Sequence, residues 1–267
     1  ILIFGPIESS AGNPRERSVV NDKRKSGASV PKTTKSKYQP SANSSRMTYI
    51  LGGLAILVVA ALVIGGIFWS QRDKGSADDS ALSANATMIA GPGTAPTIDL
   101  FEDPLCPICG QFEKQYGQQI NAAITGNKIR VRFHTLDFLN QKSASGDYSV
   151  RAAGALTCVA AEGNTDVYLK FHSALFSNQP QEGGSSDLTN ADLARIAGEQ
   201  GASPATTKCI ADGAKVGEAG DKATASFEEL QKVLGDQAGT PTVLHNGEAV
   251  DISNTNWLND IIGSDNS

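Results

Sequence analysis

The longest apolar stretch of the chain lies near its N-terminus. Residues 49–69 contain no charged side chain, and a helix of about 20 apolar residues crosses the hydrocarbon core of a membrane. Backbone polar groups inside lipid must be bonded within their own segment, so this run predicts a transmembrane helix over residues 48–70. A cleaved signal peptide is the alternative, but its apolar region is usually shorter, about 7–15 residues.

After this run, the pattern changes to short alternating and helical segments, which predicts one α/β domain over residues 95–267. β-Branched and aromatic residues at 97–101 predict a strand, and alternation over 129–135 predicts a second strand. Between them, apolar residues recur at steps of three and four from Cys109 onward, which predicts a helix.

A mainly helical stretch follows the second strand and is predicted as an insertion at about 143–235. Helical spacing and capping residues predict five helices within it, at 149–162, 166–177, 190–200, 204–212 and 218–234. A hairpin over 242–252 and a closing helix over 257–262 then complete the predicted domain.

The formal net charge of −5 combines two unlike parts. Residues 1–47 carry nine Lys or Arg and three acidic residues, a net charge of +6, which leaves −11 for the rest of the chain. Lys and Arg concentrate on the cytoplasmic side of membrane spans, so we predict a disordered cytoplasmic tail and an extracytoplasmic domain. Residues 71–94, rich in Gly, Ala, Ser and Asp, are predicted to be a flexible linker. The overall acidity argues against a nucleic-acid partner.

All four cysteines follow the predicted span. Cys106 and Cys109 form a CxxC motif where the first strand gives way to a helix, and Pro107 suits the first helical position. The positive end of a helix dipole lowers the pKa of a thiol, so Cys106 is predicted to be an exposed nucleophile. Cys109, one turn further on, is predicted to be the resolving thiol. A zinc site would need a second close pair or histidines at ligand spacing, so neither a metal nor a cofactor is predicted.

Cys158 and Cys209 fall on the first and fourth predicted helices of the insertion. A structural disulfide between them would stabilise the helical part by roughly 2–4 kcal/mol. Two free thiols and a second catalytic pair are the alternatives, although neither residue has a cysteine nearby in the sequence.

The segment FEDPLCPIC, which ends at Cys109, resembles the active-site signature of the DsbA-like thiol–disulfide oxidoreductases. The segment GTPTV at 239–243 is similar to the cis-proline loop of thioredoxin folds. The resemblance implies a thioredoxin fold with a helical insertion, preceded here by one transmembrane helix. It also implies that Thr240 and Pro241 are joined by a cis peptide bond that lies beside the CxxC motif. The placement of Cys158 and Cys209 is similar to that of a second disulfide in the helical part of some actinobacterial members.

Three further residues near the CxxC motif bear on its chemistry. Ile108 stands where the strongest oxidant of the family has His, and an imidazolium there would stabilise the Cys106 thiolate. We therefore expect a less depressed thiol pKa and a less oxidising pair. Asp99 and Glu102 precede the motif, and either is a candidate for assisting proton transfer at Cys109.

These features predict a membrane-anchored enzyme that forms disulfides in exported proteins through Cys106 and Cys109. The resemblance implies reoxidation by a quinone-linked membrane enzyme, either DsbB-like or vitamin-K-epoxide-reductase-like, and a membrane complex is compatible with the anchor. Reduction or isomerisation by the same pair is the close alternative, because sequence does not fix a redox potential. A non-catalytic thioredoxin-fold subunit of a membrane complex is the other alternative.

Overall fold

The computed structural model describes residues 77–264. The predicted tail at 1–47 and the predicted transmembrane helix at 48–70 lie outside these residues. Between residues 77 and 264, no helix combines the length and the apolar character that crossing a membrane requires.

A five-stranded sheet forms the centre of the described domain, with the strand order β1-β3-β2-β4-β5. In chain order, the strands are Met88–Ala90, Thr97–Glu102, Arg130–Thr135, Thr242–His245 and Glu248–Ala249. Strands β2 and β3 run parallel, whereas the β1–β3, β2–β4 and β4–β5 pairs are antiparallel. In both β2 and β3, every residue after the first is buried, as expected for central strands that are covered on both faces.

α-Helices supply most of the remaining regular structure of the described residues. They are α1 Asp79–Asn85, α2 Pro107–Phe112, α3 Gln118–Thr125, α4 Tyr148–Ala161, α5 Thr165–Ser177, α6 Asn190–Glu199, α7 Pro204–Ala211, α8 Val216–Leu234 and α9 Trp257–Ser264. A π-helical turn at Glu113–Gly117 joins α2 to α3, so the single helix predicted after the CxxC motif is interrupted once.

The predicted helical insertion is present as α4 to α8, with each helix ending within two residues of its predicted position. Capping explains this agreement. Thr189 and Asp192 form a reciprocal capping box at the start of α6, and the Ser203 side chain accepts from the Thr206 N–H at the start of α7.

The flexible linker predicted over residues 71–94 is wrong for its second half, because residues 79–85 form α1 and residues 88–90 form β1. The Asp78 carboxylate caps α1, and Leu82 is buried beneath it. Both elements are too short to produce a recognisable apolar period, which is why their composition resembled a linker.

The predicted hairpin at 242–252 is also too long, since its second strand covers only Glu248–Ala249. The Asp251 carboxylate accepts hydrogen bonds from the backbone N–H and hydroxyl of Ser253 and bends the chain away from the sheet.

The two faces of β2 contribute to two apolar clusters, as the alternation of side chains along a strand requires. Ile98 and Leu100 belong to the larger cluster, which contains the apolar faces of α3 to α7 and α9. Phe101 belongs to the smaller cluster, in which Leu82 of α1 meets Leu230 of α8. The end of β2 therefore holds the CxxC motif on a rigid, doubly covered strand.

Candidate active site

The CxxC motif lies at the start of α2. Cys106 is the residue that precedes the helix and Pro107 is its first residue, so the first N–H groups of the helix have no intrahelical partners. Cys106 is only 6% exposed and Cys109 is fully buried. The predicted exposure of Cys106 is therefore wrong in degree, because Phe176 and Leu139 pack against the two cysteines.

The two thiols have opposite electrostatic environments. Hydrogen bonding from the Cys109 thiol, with help from Thr240 and the first backbone N–H groups of α2, lowers the pKa of Cys106 to about 6, against the opposing effect of burial. Burial raises the pKa of Cys109 strongly, and the nearby charge of Glu102 acts in the same direction. At neutral pH, Cys106 is therefore the thiolate and Cys109 the thiol of a reduced pair.

The loop before β4 lies against Cys106. The Thr240–Pro241 peptide bond is cis, and the Sγ atom of Cys106 lies 3.5 Å from the carbonyl oxygen of Thr240. The buried hydroxyl of Thr240 makes no hydrogen bond to other described residues, so it remains available to the ionised sulfur. Ile108, the other residue between the cysteines, is 55% exposed beside them.

Two residues hold the loop that presents Cys106, and sequence reasoning missed both. The side-chain amide of Gln179 donates to the carbonyl oxygens of Pro104 and Cys106, each at 2.9 Å. The Asp103 carboxylate is fully buried and accepts from the Leu105 N–H and from the hydroxyl of Ser149. Burial raises the pKa of Asp103 to about 6.

The two predicted acids occupy different networks. Asp99 pairs with Arg132 at 2.7 Å and with His134 at 2.8 Å, so both of its oxygens are engaged within the sheet. Glu102 instead influences both cysteines: its charge raises the pKa of Cys109, and burial with the charge of Glu113 raises its own pKa to about 8. Of the two candidates, Glu102 is therefore the one whose charge affects the pKa of Cys109.

Glu102 belongs to a buried cluster with His172 and Glu113. The Nε2 atom of His172 lies 3.1 Å from Glu102 Oε2, and its Nδ1 atom lies 3.6 Å from Glu113 Oε2. Within the described part of the chain, these residues are the one His/Cys/Asp/Glu group close enough to hold a metal ion. However, the imidazole turns a different nitrogen to each carboxylate, which is the arrangement of an ion-paired triad rather than of ligands converging on one ion.

Cys158 of α4 and Cys209 of α7 form a disulfide with an S–S distance of 2.01 Å. The bridge closes a separation of 51 residues within the helical insertion. The predicted structural disulfide between Cys158 and Cys209 is therefore present, and the alternative of two free thiols is wrong.

Asp103 lies three residues before Cys106, but nothing in the sequence around it indicates its burial, and the other missed residues lie far from the CxxC motif in the chain. Gln179 and His172 lie on or just after α5, about 70 residues away in the chain. A scattered His or Gln has no pattern of its own, and only the packing of α5 against α2 brings these side chains to the pair.

A family model described as thioredoxin matches residues 83–262. The oxidised form of DsbA of Mycobacterium tuberculosis is 26% identical, with a TM-score of 0.55, and the match covers 66% of this chain and 92% of that one. The reduced form of the DsbG oxidoreductase of the same organism is 25% identical, with the same TM-score and coverage of 68% and 92%. The MdbA oxidoreductase of Corynebacterium diphtheriae shares the fold, at 23% identity, a TM-score of 0.59 and coverage of 70% and 93%.

A different kind of protein matches in sequence. The serine/threonine-protein kinase PknE of Mycobacterium tuberculosis is 40% identical over 182 residues, which is 67% of this chain. The match spans only 32% of the kinase. The similarity therefore extends over about a third of the length of that kinase.

Proposed function

Because the chain belongs to the thioredoxin family, with the fold of the DsbA-like thiol–disulfide oxidoreductases, we propose that Cys106 and Cys109 are its redox pair. The observation that carries this proposal is the asymmetry of the two thiols. One sulfur has a pKa of about 6 and retains some surface, whereas the other is fully buried with a raised pKa.

The proposed reaction is the oxidation of a client dithiol. A client thiolate attacks the Sγ atom of Cys106 in the enzyme disulfide, the Cys106–Cys109 bond breaks, and Cys109 leaves with the electron pair and takes up a proton. The second client thiolate then attacks the client sulfur of the mixed disulfide and releases the Cys106 thiolate. The client loses two electrons and the enzyme pair gains them. The low pKa of Cys106 makes it the better leaving group in the final step.

The carbonyl oxygen of Thr240 supports this sequence of events. It lies beside Cys106 in a loop that leads into β4, and an extended client segment could pair its N–H groups there in the manner of an added strand. Exposed Ile108 would offer that segment an apolar contact.

We further propose that residues 48–70 anchor the enzyme in the cell membrane, with residues 1–47 in the cytoplasm and the catalytic domain outside. The charge-free run and the +6 charge of the preceding tail support this topology. Its clients would then be exported proteins with free thiols, and its reoxidant a quinone-linked membrane enzyme, DsbB-like or vitamin-K-epoxide-reductase-like, that regenerates the Cys106–Cys109 disulfide.

The direction of the reaction is tested with the full chain in vesicles. The oxidised enzyme should oxidise a reduced, unfolded dithiol protein, and Cys106→Ala should abolish that activity. Equilibration with glutathione then gives the potential of the pair. A value as reducing as that of cytosolic thioredoxin would favour a reductase over an oxidase.

Topology is tested separately in whole cells. A thiol-reactive probe that cannot cross membranes should label Cys106 of the reduced enzyme without lysis, with Cys106→Ala as the matched control. Labelling only after lysis would contradict an extracytoplasmic domain.

A further inference from the structure

A groove of about 600 Å³ begins at Pro107, the residue that follows Cys106. Its other walls are Lys142 and the loop at 179–183, which follows α5 in the helical insertion. We propose that this groove is a client subsite, in which Lys142 binds an acidic side chain and Glu182 a basic side chain beside the reacting client cysteine. This inference rests on the proposed redox role of the CxxC pair and extends it to the choice of client.

The groove lies against the backbone of the nucleophile. The side-chain amide of Gln179, one of the residues that line it, donates to the carbonyl oxygen of Cys106 at 2.9 Å. A Cβ atom placed on Gly110 would lie 2.5 Å from the Oε1 atom of the same amide, so Gln179 packs directly on the backbone of α2. An extended client chain advances by about 3.5 Å per residue. The residues beside a client cysteine bonded to Cys106 therefore reach the groove.

The two walls of the groove are joined by backbone hydrogen bonds. The Gly183 N–H donates to the carbonyl oxygen of Lys142 at 2.7 Å. The Gly184 N–H donates to the carbonyl oxygen of Gln181 at 2.9 Å and closes a turn, in which Gly183 has a φ of +70° that favours glycine. The groove is therefore formed before a client arrives, and little of the binding free energy is lost in ordering it.

The far end of the loop is fixed to the helical insertion. The Arg151 guanidinium of α4 pairs with the Asp187 carboxylate at 2.8 Å and donates to the carbonyl oxygen of Leu188 at 2.7 Å. The other oxygen of Asp187 accepts from the N–H and the hydroxyl of Ser145. These contacts and those of Gln179 hold the loop at both ends, so the insertion itself places the groove beside the CxxC helix.

Two opposite charges line the groove without pairing. Lys142 is exposed and Glu182 is half-buried, and neither forms an ion pair within residues 77–264. The chain after residue 47 carries a net charge of −11, so the domain as a whole repels an acidic client. An unpaired cation close to the nucleophile offsets that repulsion locally, and the carboxylate in the same groove attracts a basic side chain. Client residues of either sign thus have a partner of their own.

The test uses the reduced full chain in vesicles and short peptides with one cysteine, which is joined by a disulfide to a coloured aromatic thiol. The cysteine is flanked on both sides by Gln, by Glu or by Lys. The Cys106 thiolate attacks the peptide sulfur, the bond from Cys106 to the peptide forms, and the aromatic thiolate leaves with the electron pair and is followed by its absorbance. The rate with the Glu or Lys peptide, divided by the rate with the Gln peptide, measures selectivity for charge.

The measurement is made at physiological ionic strength, where charges more than about 8 Å apart are largely screened. An exposed ion pair changes an equilibrium by up to about fivefold, and reversal of one charge replaces attraction by repulsion. Lys142→Glu should therefore lower the Glu-to-Gln rate ratio about fivefold, and Glu182→Lys should lower the Lys-to-Gln ratio to a similar extent. Lys128→Glu, an exposed change of the same net charge in the loop before β3, is the matched control and should leave both ratios unchanged.

Unchanged ratios in both Lys142→Glu and Glu182→Lys would overturn the subsite, and a missing shift in one of them would overturn the role of that residue. Equal shifts in Lys142→Glu and Lys128→Glu would show that net charge alone selects clients, which also overturns the subsite. Because each ratio compares two peptides on one variant, a general loss of reactivity cancels. A wild-type chain that reacts with none of the peptides would instead overturn the proposed redox pair itself.

Discussion

The Nε2 atom of His172 on α5 lies 3.1 Å from the Oε2 atom of Glu102 at the end of β2, and both side chains are buried. This contact joins the helical insertion to the strand that carries the CxxC motif. The Oε2 atom of Glu113 lies 3.6 Å from the other imidazole nitrogen, so three ionisable groups meet where the helical insertion contacts this strand.

This contact predicts how stability depends on pH. The folded-state pKa of His172, about 10, lies above the ordinary value of 6.5, so its protonation stabilises the fold fully below about pH 6.5 and is lost as the pH rises through about 10. His172→Gln should therefore cost more stability at pH 6 than at pH 9, by at least about 1–2 kcal/mol. Urea unfolding at the two pH values measures this, and an equal loss at both would contradict an imidazolium at this site.

The Thr240 hydroxyl should help to set the acidity of the nucleophile. Thr240→Val removes a donor that favours the ionised sulfur, so the pKa of Cys106 should rise from about 6 by roughly half a unit to one unit. Titration of thiolate ultraviolet absorbance measures the midpoint. Thr224→Val, on the exposed side of α8, should leave it unchanged, and an unshifted midpoint in both variants would show that the hydroxyl plays no part.

Gln179 should act by positioning the loop that presents Cys106. Gln179→Ala removes two hydrogen bonds to the carbonyl oxygens of Pro104 and Cys106, and the loss should be about 1–3 kcal/mol in the free energy of unfolding. Gln181→Ala, two residues further along the same loop, should change it by less than about 0.5 kcal/mol. Equal effects of the two changes would argue that the amide contacts do not hold the loop.

The Cys158–Cys209 bridge should serve stability alone. Replacing both residues by Ser should lower the free energy of unfolding by roughly 2–4 kcal/mol, measured by chemical denaturation under non-reducing conditions. Thiol exchange at Cys106 should proceed at the wild-type rate below the unfolding transition. A loss of exchange in the folded double variant would instead support a second catalytic pair.

The sequence predicted the elements whose signals are local. The CxxC motif between a strand and a helix, the five capped helices of the insertion and the Thr240–Pro241 loop each depend on a short pattern of residues. Short-range capping made the boundaries of α6 and α7 especially clear, because Thr189 and Ser203 each satisfy a backbone N–H three residues later.

The parts that were missed depend on long-range packing. Strand β1 has three residues and gains its structure by pairing with β3. The π-helical turn at Glu113–Gly117 has no recognised signature, yet it brings Glu113 to His172. The different partners of Asp99 and Glu102 could not be predicted either, because Asp99 meets Arg132 and His134 only through the pairing of β2 with β3.

The central claim is that Cys106 is the nucleophile and Cys109 the resolving thiol of a protein oxidoreductase. Cys109→Ala in the full chain, expressed in cells, tests it most directly, because a mixed disulfide at Cys106 then has no internal thiol to resolve it. We predict that client proteins accumulate in disulfide linkage to Cys106, identified by non-reducing separation and mass spectrometry, and that they disappear when Cys106 is also replaced by Ala. The absence of such adducts in Cys109→Ala, or their attachment at Cys158 or Cys209, would contradict this account.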